Sequence, residues 1–350
     1  MRALTVVPMK KNSLEVKDMP APDEGLGDLL VQGLAVGVCG TDHELAEGLY
    51  GWAPEGSDRL IIGHEGLGKV IDAPDGSGFS AGDLVVSIVR MPDPVPCGAC
   101  AHGEWDMCRN GKYTEHGIKE LHGFAAEQWR VQSKHTVKLD PSLQSVGMLL
   151  EPTTVVAKAW EQVDRVGGRG WFDPKSVLIT GAGPIGQLGA MIGAQRGMDV
   201  HVLDRMTDGP KPQLVADLGA TYHSDPVDEV LKKVRPEVII EGTGAVPVIK
   251  AALQDSQPYT ITVLTGISNP GTETPLDLGA LNRDLVLDNG AVVGSVNANR
   301  RHYEAGAKAL AAADRGWLER LVTRRVPLEK FAEAFKPAQN DVKVVLTIGD

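Results

Sequence analysis

Gly181-Ala182-Gly183-Pro184-Ile185-Gly186 follows the apolar run 176–180 without a gap and opens a stretch of helical periodicity. A G-x-G-x-x-G segment with a strand before it and a helix after it is the turn of a βαβ unit that holds a dinucleotide pyrophosphate. The first glycine permits the tight turn, the second lets the backbone approach the phosphates, and the third lets helix and strand pack closely. Amides at the helix N-terminus then face the phosphate charge. Asp204 ends the next apolar run, 18 residues beyond Gly186. A carboxylate there accepts both ribose hydroxyls of NAD and repels the 2′-phosphate of NADP, so NAD is the expected cofactor. Arg205 beside it and Lys211 on the following helix can turn onto a phosphate, which leaves NADP possible. Around this turn the order is strand, helix, strand: SVLITGAG, a helix over 184–196, DVHVLD, a helix near 210–219, EVIIEGTG, a helix near 246–254, TITVLTG and AVVGSV. Such alternation predicts a parallel sheet with helices on both faces, a doubly wound α/β domain.

That domain fills less than half of the 350 residues, and at ~150 residues per domain a second one is expected. From 1 to about 150 the pattern changes to short β-rich runs broken by glycine and proline, at Leu29–Val38, Gly66–Ile71, Asp83–Val89 and Ala125–Val131, which predicts a mainly antiparallel, barrel-like domain. The segment 151–166 carries one apolar stripe (Val155, Val156, Ala159, Trp160, Val163) and reads as a helix leading into the second domain. The tail from about 297 has helical stretches around 300–313 and 315–323. Its last strand, KVVLTIG, is expected to pack back on the first domain.

Lys plus Arg number 35 against 46 Asp plus Glu, a net charge of −11 with no basic cluster, so nucleic acid and anionic membranes are poor partners. The opening MRALTVVPMKK has too short an apolar run for the core of a secretion signal and reads as a first strand. The apolar window 177–194 is interrupted by glycines, Pro184 and Gln187, unlike a spanning helix. Only four cysteines occur, three of them between 97 and 108, which fits metal-bound thiolates in a reducing cytoplasm better than a disulfide framework.

Cys39 in GVCGTDHE and His64-Glu65 in IIGHEGLGKV are 25 residues apart, too far for a local finger. Strand ends within one barrel can bring them together, and thiolate, imidazole and carboxylate are donors suited to zinc. With these motifs in place the chain resembles the zinc-dependent medium-chain dehydrogenases, and within them the archaeal-type glucose 1-dehydrogenase branch. VCGTD, IIGHE, VVSIVRMP, CAHGEWDMC, GKYTEHGIKELHGF, EPTTVVAKA, TGAGPIGQLG and GSVNANRRHYEA all fall in family order, and the segments at 111–124, 151–159 and 294–305 narrow it to the sugar-oxidising branch.

The resemblance implies a GroES-like catalytic domain over 1–155, completed by 297–350, and a Rossmann domain over 156–296. It implies a catalytic Zn2+ on Cys39, His64, Glu65 and Glu151, with Glu65 and Glu151 exchanging as the metal shifts. Thr41 would contact the reacting oxygen and pass on its proton, with His43 a possible extension of the relay. Glu115, Glu151 and Asn297 would join Thr41 in binding the sugar. Cofactor contacts would come from Gly181, Gly183, Pro184, Ile185, Gly186, Asp204, Arg205, Thr243 and Asn297.

The expected reaction is oxidation of an aldose at its anomeric hydroxyl to the lactone, by a cytoplasmic homodimer or homotetramer assembled through the sheet edge at 291–296. A polyol or secondary-alcohol dehydrogenase of the same superfamily, and a nucleotide-binding protein without turnover, are the rival readings. In one place the chain departs from the family. Four cysteines are typical of the projecting lobe, whereas here only Cys97, Cys100 and Cys108 occur, with Pro94 where the first should stand. Either Asp93 or His102 completes a structural zinc site there, or the lobe is metal-free.

Overall fold

A computed structural model describes residues 1–349. The chain divides into two compact units, 1–154 with 297–350 and 155–296, and the boundary falls inside the helix Leu150–Gly167.

In the first unit, alternation of buried and exposed residues along Leu29–Val38 marks a strand with one face on a core. It lies centrally in a seven-stranded sheet, pairing antiparallel with Glu65–Asp72, Gln128–Val131 and Lys343–Thr347. Leu84–Ser87 and Thr136–Lys138 extend one side. Val322–Pro327 pairs parallel with Lys343–Thr347 on the other. The core beneath includes Leu29, Val31, Val36, Phe124, Trp129 and Leu346. Each fully buried side chain of this size contributes roughly 1.5–3 kcal/mol over its exposed state.

The expected strand at 125–131 begins only at Gln128, and that at 83–89 spans only Leu84–Ser87. The expected helix near 315–323 stops at Leu321, where the β-branched run Val322–Thr323 enters the sheet instead. A small sheet of Arg90–Met91, Thr114–His116 and Glu120–Leu121 lies off the main one.

In the second unit six parallel strands, β1 (Ser176–Thr180), β2 (Asp199–Leu203), β3 (Thr221–His223), β4 (Val238–Glu241), β5 (Ile261–Leu264) and β6 (Ala291–Gly294), run in the order β3-β2-β1-β4-β5-β6. β1 and β4 are buried almost throughout, as strands covered by helices on both faces must be. Strand order reverses between them, so the C-terminal ends of β1 and β4 flank the switch point where ligands of such sheets bind. β3 and the helices Val227–Val234 and Leu278–Leu287 are additions to the expected elements; β3 is too short to show a pattern, whereas Val227, Val230, Leu231 and Val234 make a helical apolar stripe that the sequence does show. Among the described residues no helix is long and apolar enough to cross a membrane.

Candidate active site

Cys39 follows the strand Leu29–Val38 and caps the helix Gly40–Ala46. Its amide donates to Asp42 Oδ2 at 2.9 Å while Thr41 N–H donates to its Sγ at 3.3 Å, a reciprocal cap that fixes the thiol's direction. His64 and Glu65 enter through strand register, because Glu65 pairs with Gly37, two residues before Cys39. Glycine at 37 leaves room for the Glu65 carboxylate, since a Cβ there would lie 2.0 Å from Glu65 Oε2 and displace it. Cys39 Sγ stands 3.0 Å from His64 Nε2, and the ligand atoms of Cys39, His64 and Glu65 all lie within 4.8 Å of one another.

The residues fit a zinc ion. A soft thiolate, an imidazole and a carboxylate converge. Behind the imidazole, His64 Nδ1 and Asp42 Oδ1 are 3.7 Å apart, both buried and without a hydrogen bond. A carboxylate in that position is what orients metal-bound histidines. Burial alone would push His64 down, but Cys39, Asp42 and Glu151 hold it well above its ordinary value. The anionic groups around the imidazole favour a cation at this position. Glu65 is ion-paired with the buried Lys343, whose Nζ also donates to Val38 O at 3.1 Å.

Glu151 lies outside the 4.8 Å set, on the first turn of the helix Leu150–Gly167. Burial raises its carboxyl to about 7, against the pull of His64 and with the added push of Glu65. Tyr303 is buried beside it, and its phenol oxygen accepts from Val89 N–H at 3.1 Å. His43 packs edge-on against Phe335 at 5.2 Å.

Glu115, also buried, forms a second centre in the same unit. Its Oε1 accepts from Arg90 Nε at 3.0 Å and from Asn297 Nδ2 at 2.7 Å. Arg90 is stacked on Tyr113 with its guanidinium 3.7 Å from the ring centroid. Asn297 sits in the left-handed region at φ 62°, a conformation sparsely used by non-glycine residues and often found at functional sites.

In the second unit Gly181 adopts φ 90° at the end of β1, Gly183 caps the helix Pro184–Gln195, and Pro184 and Ile185 form its first turn. A Cβ on Gly186 would lie 1.7 Å from Gly181 O, so only glycine closes this turn. Asp204 follows β2 and accepts from Ala182 N at 2.8 Å, Met206 N at 3.1 Å and Lys211 Nζ at 3.2 Å. Burial works against its charge, but these donors outweigh it and keep the carboxyl below its usual range. Arg205 is exposed beside it. Thr243 donates from both its amide and its hydroxyl to Glu241, a fully buried carboxylate at the end of β4 that also accepts from Thr180 Oγ1 at 3.1 Å.

Cys97, Cys100 and Cys108 form a third group, their sulfurs within 4.8 Å of one another. Neither proposed fourth donor joins them. Asp93 accepts from Val95 N at 2.8 Å and Asn110 Nδ2 at 2.9 Å, and His102 Nδ1 is bonded to Gly98 O at 2.7 Å.

The sequence reading passed over Asp42, Arg90, Glu241, Tyr303 and Lys343. Asp42 had a signal, three residues after Cys39 at the capping-box position. Lys343 had none, being 278 residues from Glu65.

Two family models match the chain: "Glucose dehydrogenase C-terminus" over 144–348 and "Alcohol dehydrogenase GroES-like domain" over 25–141. Glucose 1-dehydrogenase of Methanocella arvoryzae is 39% identical with all of both chains covered, and that of Thermoproteus tenax is 41% identical over 99% of each. Among solved structures, Haloferax mediterranei glucose dehydrogenase in complex with NADP, Zn and gluconolactone superposes with a TM-score of 0.92 at 31% identity, both chains covered in full.

Proposed function

Because the chain belongs to the glucose dehydrogenase branch of the zinc-dependent medium-chain dehydrogenases, we propose that it oxidises an aldose of the glucose type at its anomeric hydroxyl to the lactone, with NAD(P) as hydride acceptor. The observation that carries the reading is the convergence of Cys39, His64 and Glu65 in a unit that also holds the buried Glu115–Asn297 pair. When bound, zinc supplies Lewis acidity toward the substrate oxygen and the nicotinamide takes up the hydride.

The residues do the rest. Cys39, His64 and Glu65 would hold the metal, with Glu151 available as a further carboxylate donor. Thr41, fixed at the first turn of Gly40–Ala46, receives the proton of the anomeric hydroxyl and passes it toward solvent. Glu115 has Oε1 committed to Arg90 and Asn297, which leaves Oε2 to accept a sugar hydroxyl. A polyol hydroxyl left unmatched there costs about 1–3 kcal/mol, which is how such a site selects its substrate.

In the nucleotide unit Gly181, Gly183, Gly186 and the first turn at Pro184–Ile185 receive the pyrophosphate, with Thr243 held nearby by Glu241. Asp204 favours NAD. Lys211, already on its carboxylate, and the exposed Arg205 admit NADP as well. Four free cysteines accord with a reducing cytoplasm. The half-open edge strand β6 is the surface proposed for a dimer or tetramer.

A panel of aldoses set against sorbitol, threonine and simple alcohols, each with NAD and NADP, tests the reading. Aldoses should give the highest kcat/KM. Faster oxidation of sorbitol or simple alcohols would transfer the assignment to the open-chain class, and no turnover with zinc restored would leave a nucleotide-binding protein.

A further inference from the structure

We infer that Cys97, Cys100 and Cys108 form a three-thiolate zinc site whose fourth coordination position is open to a small ligand from solution. The helical turn Gly98–Ala101 sets Cys97 and Cys100 on one side, with sulfurs 3.6 Å apart. The turn Trp105–Met107 returns Cys108 to them. Backbone amides are aimed at the sulfurs: Arg109 N–H donates to Cys97 Sγ at 3.4 Å, and the Asp93 amide to Cys100.

Closed structural zinc sites use four protein ligands, and sites with three keep a position for water or another ligand. Here the fourth is missing. Neither Asp93, both of whose oxygens accept hydrogen bonds from Val95 and Asn110, nor His102 brings a ligand atom into the 4.8 Å cluster of sulfurs, and among the described residues no other histidine or acid does. Pro94 stands three residues before Cys97, the interval that separates Cys97 from Cys100, and offers no donor. Pro94, Val95 and Pro96 are exposed, with Val95 at 73%, so solvent reaches this side of the lobe. The fourth ligand is therefore water, replaceable by a small thiol.

The inference stands apart from the sugar-oxidising reading and is tested without substrate. Full-length wild-type protein should contain about two zinc per subunit and the Cys100→Ser variant about one. The His64→Ala variant should keep the lobe metal alone. In cobalt-loaded H64A, the thiolate-to-cobalt absorption should shift saturably as 2-mercaptoethanol is added, and the shift should disappear with Pro94→Cys added. One zinc in both wild type and C100S would overturn the site, as would a Cys97–Cys100 disulfide found in protein purified under reducing conditions. A cobalt spectrum indifferent to added thiol would overturn the open position. The wild-type minus C100S difference spectrum gives the same reading independently of the H64A variant.

Discussion

Glu65 answers to two partners. Its carboxylate belongs to the Cys39–His64 cluster, yet it is ion-paired with Lys343, and both side chains are only 2% exposed. A buried charge whose partner is removed costs about 3–5 kcal/mol. Lys343→Met should therefore destabilise the zinc-free protein by roughly that amount. It should cost much less once zinc is bound, because the ion takes over the compensation of Glu65. Denaturant melts of the variant with and without zinc check this, and an equal loss in both forms would separate Glu65 from the metal.

Asp42 acts one layer further out, through its unpartnered Oδ1 facing His64 Nδ1. Asp42→Asn should keep the cap on Cys39 but weaken zinc binding about 10–100-fold. Competition against a chelator of known affinity reads the change.

Among the elements, the cysteine lobe and the Glu115 centre are mechanically joined. Arg90 pairs with Glu115 through Nε and donates through Nη1 to Asp106 O at 3.3 Å, inside the lobe. Asp106 in turn accepts from Asn299 Nδ2 at 2.6 Å, at the cap of the helix Arg300–Ala312. Arg90→Met should raise the sugar KM about 10-fold or more, the worth of a charge-assisted hydrogen bond, with the cofactor KM unmoved. A proportional change in both KM values would point to general loosening instead. In the nucleotide unit the strand-to-helix turn leaves no such latitude. Gly186→Ala would drive a Cβ into the Gly181 carbonyl, and loss of NADH binding in calorimetry is the expected outcome.

At the scale of the molecule, acid stability follows from histidines buried in the neutral form. Burial pushes His116 down to about 4, and burial with the nearby Lys134 does the same for His135. Unfolded histidines take up protons near pH 6.5. Below that value the unfolded chain binds protons the folded chain refuses, so stability falls between about pH 6.5 and pH 4 and is complete above this window. For His116 the full loss is on the order of 3 kcal/mol. Urea midpoints for wild type and His116→Asn, which keeps a donor for His122 O, should converge as the pH is lowered through this range.

The nucleotide sheet was legible in the sequence because its signals are local. A glycine turn, the apolar runs on either side and an acidic residue 18 positions on are all read within one βαβ unit, and the strand order found is the one such units generate. Cys39, His64 and Glu65 were visible as residue types, but no local rule measures the separation of side chains on different strands. Their meeting depends on the register that sets Gly37 opposite Glu65. Lys343, Tyr303 and Arg90 were out of reach for the same reason, since each acts through contacts 16 to 305 residues away in the chain. Whether Asp93 faces the cysteine sulfurs was likewise decided by hydrogen bonds to Val95 and Asn110. Local pattern determines which elements form, whereas the charge and ligand partners of a buried group are determined by what long-range packing places against it.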